Sequence, residues 1–210
     1  IEGLAKEGYK EVTLLGQNMG EPLLHPLLPQ FIQTARAKGF KTVLTSNGTL
    51  LERAMNLLDT LPHKIQLSLH SHESNAKGEL STYMDQVMQF STQAAQKGTC
   101  IVLRLWNQGG KDKENEMVME YIEKYVPKPW KERPDGYRLS DNLYLEFDRK
   151  FEWPDSERKG SENPEVFCKA LFKQIGILSD GSLVPCCLDH NGDIILGNLF
   201  HQSLGEILSS

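Results

Sequence analysis

Ile65-Gln66-Leu67-Ser68-Leu69-His70 is the stretch whose reading decides the fold. Side chains alternate across a strand, so Ile65, Leu67 and Leu69 share one face while Gln66, Ser68 and His70 share the other. Residues 99–105 repeat the pattern, with Ile101, Leu103 and Leu105 on one side and Val102 and Arg104 on the other. A parallel sheet covered by helices on both faces is apolar on both. A charge within a strand is costly to bury unless something anionic meets it. A sheet curved into a barrel with a polar ligand inside accounts for both strands; an edge strand with one wet face is the alternative.

Outward from this stretch, residues 12–15 and 42–45 have the length and composition of further strands. Helical phrases separate them. Leu28, Phe31, Ile32 and Ala35 share one face and stop at Gly39, where a left-handed cap suits glycine. Thr49 and Glu52 stand in capping-box spacing ahead of Ala54, Met55, Leu58 and Leu61, and Pro62 ends that phrase. Tyr83, Val87, Phe90 and Ala94 form a third stripe, which ends at Gly98. Strand followed by helix in repeated succession predicts parallel βα units. Residues 111–125 predict one more helix. Residues 126–164 then become rich in proline, charge and aromatic side chains, among them Pro127, Pro129, Trp130, Pro134 and Trp153, and read as a connecting region with one strand at 143–147. Residues 175–178 and 183–186 flank Asp180-Gly181 and predict a hairpin with a glycine turn.

A chain of 210 residues, 39% hydrophobic, buries one core plus an extension. Its net charge of −5 comes without a basic stripe, so nucleic acid is not an expected partner. Nor is a membrane: no apolar run reaches the roughly 20 residues that span a bilayer, and the first residues lack the order of a signal peptide. A cytoplasmic location is expected. The start at Ile1 and the stop at Ser210, just after a helical phrase, read as cut ends. Without an export signal, the four cysteines point to metal binding or reduced thiols before disulfides. Cys100, alone in an apolar run, reads as an ordinary buried strand residue. Cys186 and Cys187 are adjacent and point opposite ways in a strand, so one of them, with Cys186 favoured, ligates a given metal. A structural zinc site that adds His190 is the alternative. Asn191-Gly192 reads as a turn, and His70 and His72 as polar lining or loop residues.

Two turns carry the chemistry. After the first strand comes Gly20-Glu21-Pro22-Leu23-Leu24-His25-Pro26, a rigid turn whose carbonyls can receive an ammonium group, or simply a helix start. The second strand ends in Thr45-Ser46-Asn47-Gly48, where Asn-Gly permits positive φ. Together these residues resemble the radical S-adenosylmethionine (SAM) superfamily. Gly20-Glu21-Pro22 is similar to its GEP motif, and the continuation to Pro26 to a form common in the peptide- and protein-modifying branch. Ser46-Asn47-Gly48 resembles the second-strand ending of that branch, and Ser68 stands where the next strand offers a SAM-contacting serine. The resemblance implies an α/β fold, a partial (βα) barrel with SAM inside. The turn from Gly20 through Glu21 to Pro22 would hold the SAM amino group. Asn47 would belong to the same site, Ser68 would meet the ribose or carboxylate, and Arg104 the carboxylate.

The last quarter supports the same likeness. Cys168, Gly181 and Cys186 resemble the opening of the SPASM auxiliary-cluster module, in which a cysteine is followed by a glycine and, after four further residues, another cysteine. Leu196-Gly197-Asn198-Leu199 and Ser203-Leu204-Gly205-Glu206-Ile207 resemble its ending. The implied organisation is a partial barrel over 1–125, without its first strand and cysteine loop, a connecting region over 126–163, and an incomplete SPASM-like module with its hairpin over 164–210. Cys168 and Cys186 would ligate a [4Fe-4S] cluster, with β-carbons within roughly 8 Å of each other. The family's reaction would be reductive cleavage of SAM to a 5′-deoxyadenosyl radical that takes hydrogen from a peptide or protein, with electrons from a flavodoxin or ferredoxin.

Two departures stand against the pattern. The family's primary [4Fe-4S] cluster is held by a Cys-x3-Cys-x2-Cys loop before the GEP motif, and no cysteine precedes Gly20 here, so the chain by itself is expected to be inactive. Residues 11–18, Glu11-Val12-Thr13-Leu14-Leu15-Gly16-Gln17-Asn18, resemble tRNA methylthiotransferases instead. A relative of those enzymes, or a non-catalytic module that retains SAM or a metal, is the alternative reading.

Overall fold

The computed structural model describes residues 1–16, 20–52, 54–75, 78–150, 170–171 and 173–209. The chain divides into two units. One comprises residues 10–16 and 20–151, the other residues 1–9, 17–19 and 152–210. Helix α1 (Glu2–Lys6) belongs to the second.

The larger unit is built on a seven-stranded sheet. Its parallel part runs β1 (Glu11–Leu14), β2 (Lys41–Ser46), β3 (Lys64–Ser68) and β4 (Cys100–Gln108). Two further strands, β5 (Lys131–Arg133) and β6 (Gly136–Ser140), precede β7 (Leu143–Arg149) in the chain. Strand β7 pairs parallel with β4, and β6 and β5 continue outward antiparallel, for an open order β1-β2-β3-β4-β7-β6-β5. The predicted parallel α/β architecture is therefore present. The region read as a connection with one strand contributes three.

Helices α2 (Leu28–Ala37), α4 (Leu80–Gln96) and α5 (Asn115–Tyr125) bury their apolar stripes against one face of this sheet. The short α3 (Ser71–Asn75) lies between β3 and α4 in the chain. Leu44, Ile65, Ile101 and Leu143 form one row across the register, and Leu67, Leu103 and Leu145 the next. Both rows join Ile32, Met84, Val87, Phe90 and Ile122 in one core. At roughly 1.5–3 kcal/mol for each fully buried large side chain, this face supplies the main drive to fold. The opposite face keeps Thr45, Gln66, Ser68, Arg104, Trp106, Tyr144 and Glu146 only partly covered. One apolar face and one polar face are what the alternation in residues 65–70 and 99–105 predicts.

Two helical expectations change. Among the described residues of 49–61 the helical piece is a five-residue 3-10 helix, Met55–Asp59, and the Thr49 amide (2.9 Å) and hydroxyl (2.7 Å) both donate to Asn47 Oδ1, so that Asn47 rather than Thr49 organises the turn. Phe31, expected on the buried stripe of α2, is 42% exposed and lies 4.8 Å from the His25 ring, while Leu28, Ile32 and Ala35 are buried.

In the second unit, β8 (Gly176–Ile177), β9 (Ser182–Val184) and β10 (Gly197–Asn198) form an antiparallel sheet in the order β10-β9-β8, and helix α6 (Leu204–Ser209) closes the chain. The predicted hairpin is β8–β9. Its turn needs Gly181 twice over: φ is +83°, and a β-carbon there would meet the Phe200 ring at 2.8 Å. Leu183, Leu204 and Ile207 make the core, with Leu4 and Tyr9 from the first residues packed against them. Among the described residues no helix is long and apolar enough to cross a membrane.

Candidate functional site

The expected site residues of the larger unit lie at the carboxyl ends of the parallel strands or on the polar sheet face. Glu21, in the turn after β1, is 9% exposed, and both its carboxylate oxygens are taken. Oε1 accepts from the Leu23 amide (3.0 Å) and so caps the 3-10 helix Pro22–Leu24, while Oε2 accepts from the Asn47 amide (2.8 Å) just beyond β2. The Gly20-Glu21-Pro22 turn and the Ser46-Asn47-Gly48 turn are thereby tied together. Ser46 Oγ accepts from the Gly48 amide at 2.9 Å and fixes the local bend. Gly48 has φ +75°.

Ser68 and Arg104 are partners in register across β3 and β4, and Glu146 follows Arg104 on β7. The Arg104 guanidinium stacks 4.0 Å from the centre of the Trp106 ring, which shares its face of the sheet. Arg104 Nε is buried and has no hydrogen-bond partner among the described residues. Burial lowers the Arg104 pKa, and Glu146 opposes that shift. Arg104 thus lies away from the helix layer, on the polar face, with a donor left over. The family reading pairs such a donor with a carboxylate.

Several participants escape a reading of the sequence. His72, 6% exposed, donates from Nδ1 to Glu114 Oε2 at 2.7 Å, and its ring lies 4.8 Å from that of Tyr83. Tyr83 donates its hydroxyl to the Asn47 carbonyl at 2.8 Å. In sequence Tyr83 reads as one member of an apolar helix stripe. Nothing local signals a partner 36 positions away. His70 takes a separate place, with Nδ1 3.3 Å from the Trp106 amide and 3.1 Å from the Arg104 carbonyl. Burial holds its pKa below the usual histidine value, against the hydrogen bond to the Arg104 carbonyl, which raises it, and with the smaller help of the Arg104 charge. Cys100 is half-buried at the start of β4, and burial pushes its thiol pKa up.

In the smaller unit Cys186 is buried two residues past β9, and Cys187 beside it is exposed. Gly176 lets the hairpin close on this point, since a β-carbon there would lie 3.0 Å from the Cys186 carbonyl. Cys168, the expected co-ligand, lies outside the described residues. Among the described residues no three histidine, cysteine or acidic side chains gather as a metal site.

Comparison with known proteins adds three findings. Residues 168–210 match the SPASM family, an iron-sulfur cluster-binding domain. A stretch of 57 residues is 42% identical to the GTP 3′,8-cyclase of Chlorobaculum tepidum, covering 26% of this chain and 16% of the cyclase. Over its whole length the chain follows the fold of Streptococcus suis SuiB bound to S-adenosylmethionine, with a TM-score of 0.61 at 15% identity, across 56% of that chain. A second SuiB structure gives a TM-score of 0.57 at 13% identity. The chain spans little more than half the length of these solved proteins and a smaller part of the cyclase. Residues 168–210 are thus a SPASM-type segment, and the chain as a whole has the fold seen in SuiB.

Proposed function

We propose that the polar sheet face and the turns at the carboxyl ends of β1 to β4 bind S-adenosylmethionine, and that this chain forms part of an enzyme abstracting hydrogen from a peptide or protein. The observation that carries the reading is Arg104: a buried Nε without a hydrogen-bond partner among the described residues, on a strand, in register with Ser68, on the sheet face opposite α2, α4 and α5. An unpaired buried donor is expensive, and an anionic acceptor such as the SAM carboxylate relieves it. Ser68 offers a hydroxyl one strand away. The Gly20 to Pro22 turn would present its carbonyls to the amino group, with Glu21 acting from behind by bracing that turn against Asn47. Pro22 restricts the turn from the other side.

When bound, SAM and a [4Fe-4S] cluster supply one-electron reductive cleavage to methionine and a 5′-deoxyadenosyl radical, the electron coming from a flavodoxin or ferredoxin. The protein's part is to orient SAM and to exclude water. The primary cluster needs three thiolates near the Gly20 turn. Within residues 1–210 the first cysteine is Cys100, on a later strand, so this polypeptide alone is expected to bind SAM without cleaving it. Cys168 and Cys186 are the proposed auxiliary ligands, and the peptide or protein substrate is inferred from the likeness to the SPASM branch.

The test is equilibrium dialysis of labelled SAM against the purified protein and its Arg104→Met and Ser68→Ala variants. Loss of a charge-assisted contact is expected to weaken binding roughly tenfold to a hundredfold in Arg104→Met. Equal affinity in folded wild type and Arg104→Met would end the carboxylate assignment.

A further inference from the structure

The peptide group that follows Asn47 lies beyond the last ladder pair of β2, yet the backbone of Asn47 is gripped on both sides. Its amide donates to Glu21 Oε2 and its carbonyl accepts from the Tyr83 hydroxyl, each at 2.8 Å. The two clamps come from different elements, the turn after β1 and the first turn of α4. Helix α4 is packed flush against the next residue. A β-carbon on Gly48 would lie 3.1 Å from the Tyr83 hydroxyl and 3.3 Å from Val87. Tyr83, 6% exposed, is backed by the His72 ring, and His72 is tied to Glu114 just before α5. Burial, with Glu21 and Glu114 adding to it, pushes the Tyr83 pKa far up, so the hydroxyl stays a donor at every physiological pH. Side chains here do the work that strand pairing does elsewhere.

We infer that Tyr83 is a positioning residue for the SAM site: through the Asn47 carbonyl it holds the Ser46-Asn47-Gly48 turn against the Glu21 turn, in the shape that receives the ligand, and touches no ligand itself. The inference rests on the SAM reading given above. A buried tyrosine that merely satisfies its hydroxyl would contribute to stability and leave affinity alone. One that sets the shape of a binding turn moves affinity even where the fold is intact.

Tyr83→Phe keeps the ring and its packing and removes the donor. Two measurements on the purified protein separate the cases: SAM affinity by equilibrium dialysis, and amide hydrogen exchange at Asn47 and Gly48 without ligand. Cooperative thermal unfolding at a modestly lowered midpoint, SAM affinity weaker by roughly fivefold to tenfold well below that midpoint, and faster exchange at both amides are expected. Should Tyr83→Phe not fold, Glu21→Gln opens the same turn from the amide side and must give the same loss. Unchanged affinity in a folded Tyr83→Phe protein overturns the inference and leaves the SAM site standing. Wild-type protein that binds no SAM removes the site and the inference with it, while the exchange rates still report whether Tyr83 braces the turn.

Discussion

At Gly48 a backbone demand and a packing demand coincide, and the two can be measured apart. Its φ of +75° penalises any residue with a β-carbon, and that β-carbon would press on Tyr83 and Val87. Gly39, at φ +82° after α2, has the first demand without the second, since nothing lies within 4 Å. Gly39→Ala is expected to cost about 1 kcal/mol in chemical denaturation and Gly48→Ala about 2–3 kcal/mol, the difference being the Tyr83 contact. Tyr83 gives a second prediction, in pH. Its pKa in the folded chain lies above the value near 10 of the unfolded chain, through burial first and the Glu21 and Glu114 charges second. Below that value both states hold the proton. Above it the unfolded chain ionises while the folded chain resists, so stability falls with rising pH, by about 1.4 kcal/mol per unit for this group alone. Urea titrations between neutral and strongly alkaline pH are expected to show this extra slope in wild type and not in Tyr83→Phe.

Among the elements, α2 and α4 read alike in sequence and differ in what they bury. Phe90 is fully buried in the sheet core and Phe31 is 42% exposed, so Phe90→Ala is expected to cost about 3–5 kcal/mol in the same titration. Phe31→Ala is expected to cost less than about 1 kcal/mol. The alternation of Ile65 to His70 and the period of Tyr83 to Ala94 were legible because burial of one face writes itself into every second or every third to fourth residue. Strand β5 was not legible. Lys131, Glu132 and Arg133 are all exposed at the sheet edge, so no buried face imposes a pattern on them. The site divides the same way. Ser68 and Arg104 stand out because they break an apolar rule, whereas the Tyr83 and His72 contacts join residues 36 and 42 positions apart by hydrogen bonds that leave no local trace. At α6, Ser203 and Glu206 form a reciprocal cap: Ser203 Oγ accepts from the Glu206 amide, and the Glu206 carboxylate accepts from the Ser203 amide and hydroxyl. The Ser203 hydrogen bonds hold the Glu206 pKa below the usual carboxylate range. The stability they give is present above the unfolded pKa of about 4.3 and is lost as pH falls through the lower folded value. Amide exchange over residues 204–209 is expected to accelerate in that acid range, and the dependence to flatten in Ser203→Ala.

On the scale of the whole molecule, the SPASM-bearing unit is discontinuous in sequence. Leu4 and Tyr9 pack on the core made by Leu183, Leu204 and Ile207, while residues 10–16 and 20–151 fold as a separate unit in between. Removing residues 1–9 is therefore expected to loosen a unit whose remaining described residues begin at 170, and to spare the seven-stranded sheet. Hydrogen exchange should rise over β8, β9, β10 and α6 and stay unchanged over β2, β3 and β4; uniform loss of protection in both units would refute the division. The same interleaving sets a clock during synthesis. Residues 1–9 leave the ribosome well ahead of the core they join, which is complete only at Ile207, roughly 200 residues later. At roughly 5–20 residues per second, that is a wait of about 10–40 s. Through that interval Leu4 and Tyr9 are apolar side chains in water on a nascent chain, while the sheet behind them already has the residues it needs to close. Any chaperone that attends this span during synthesis therefore meets two client segments far apart in sequence, residues 1–9 and residues 170–209, that belong to one and the same unit.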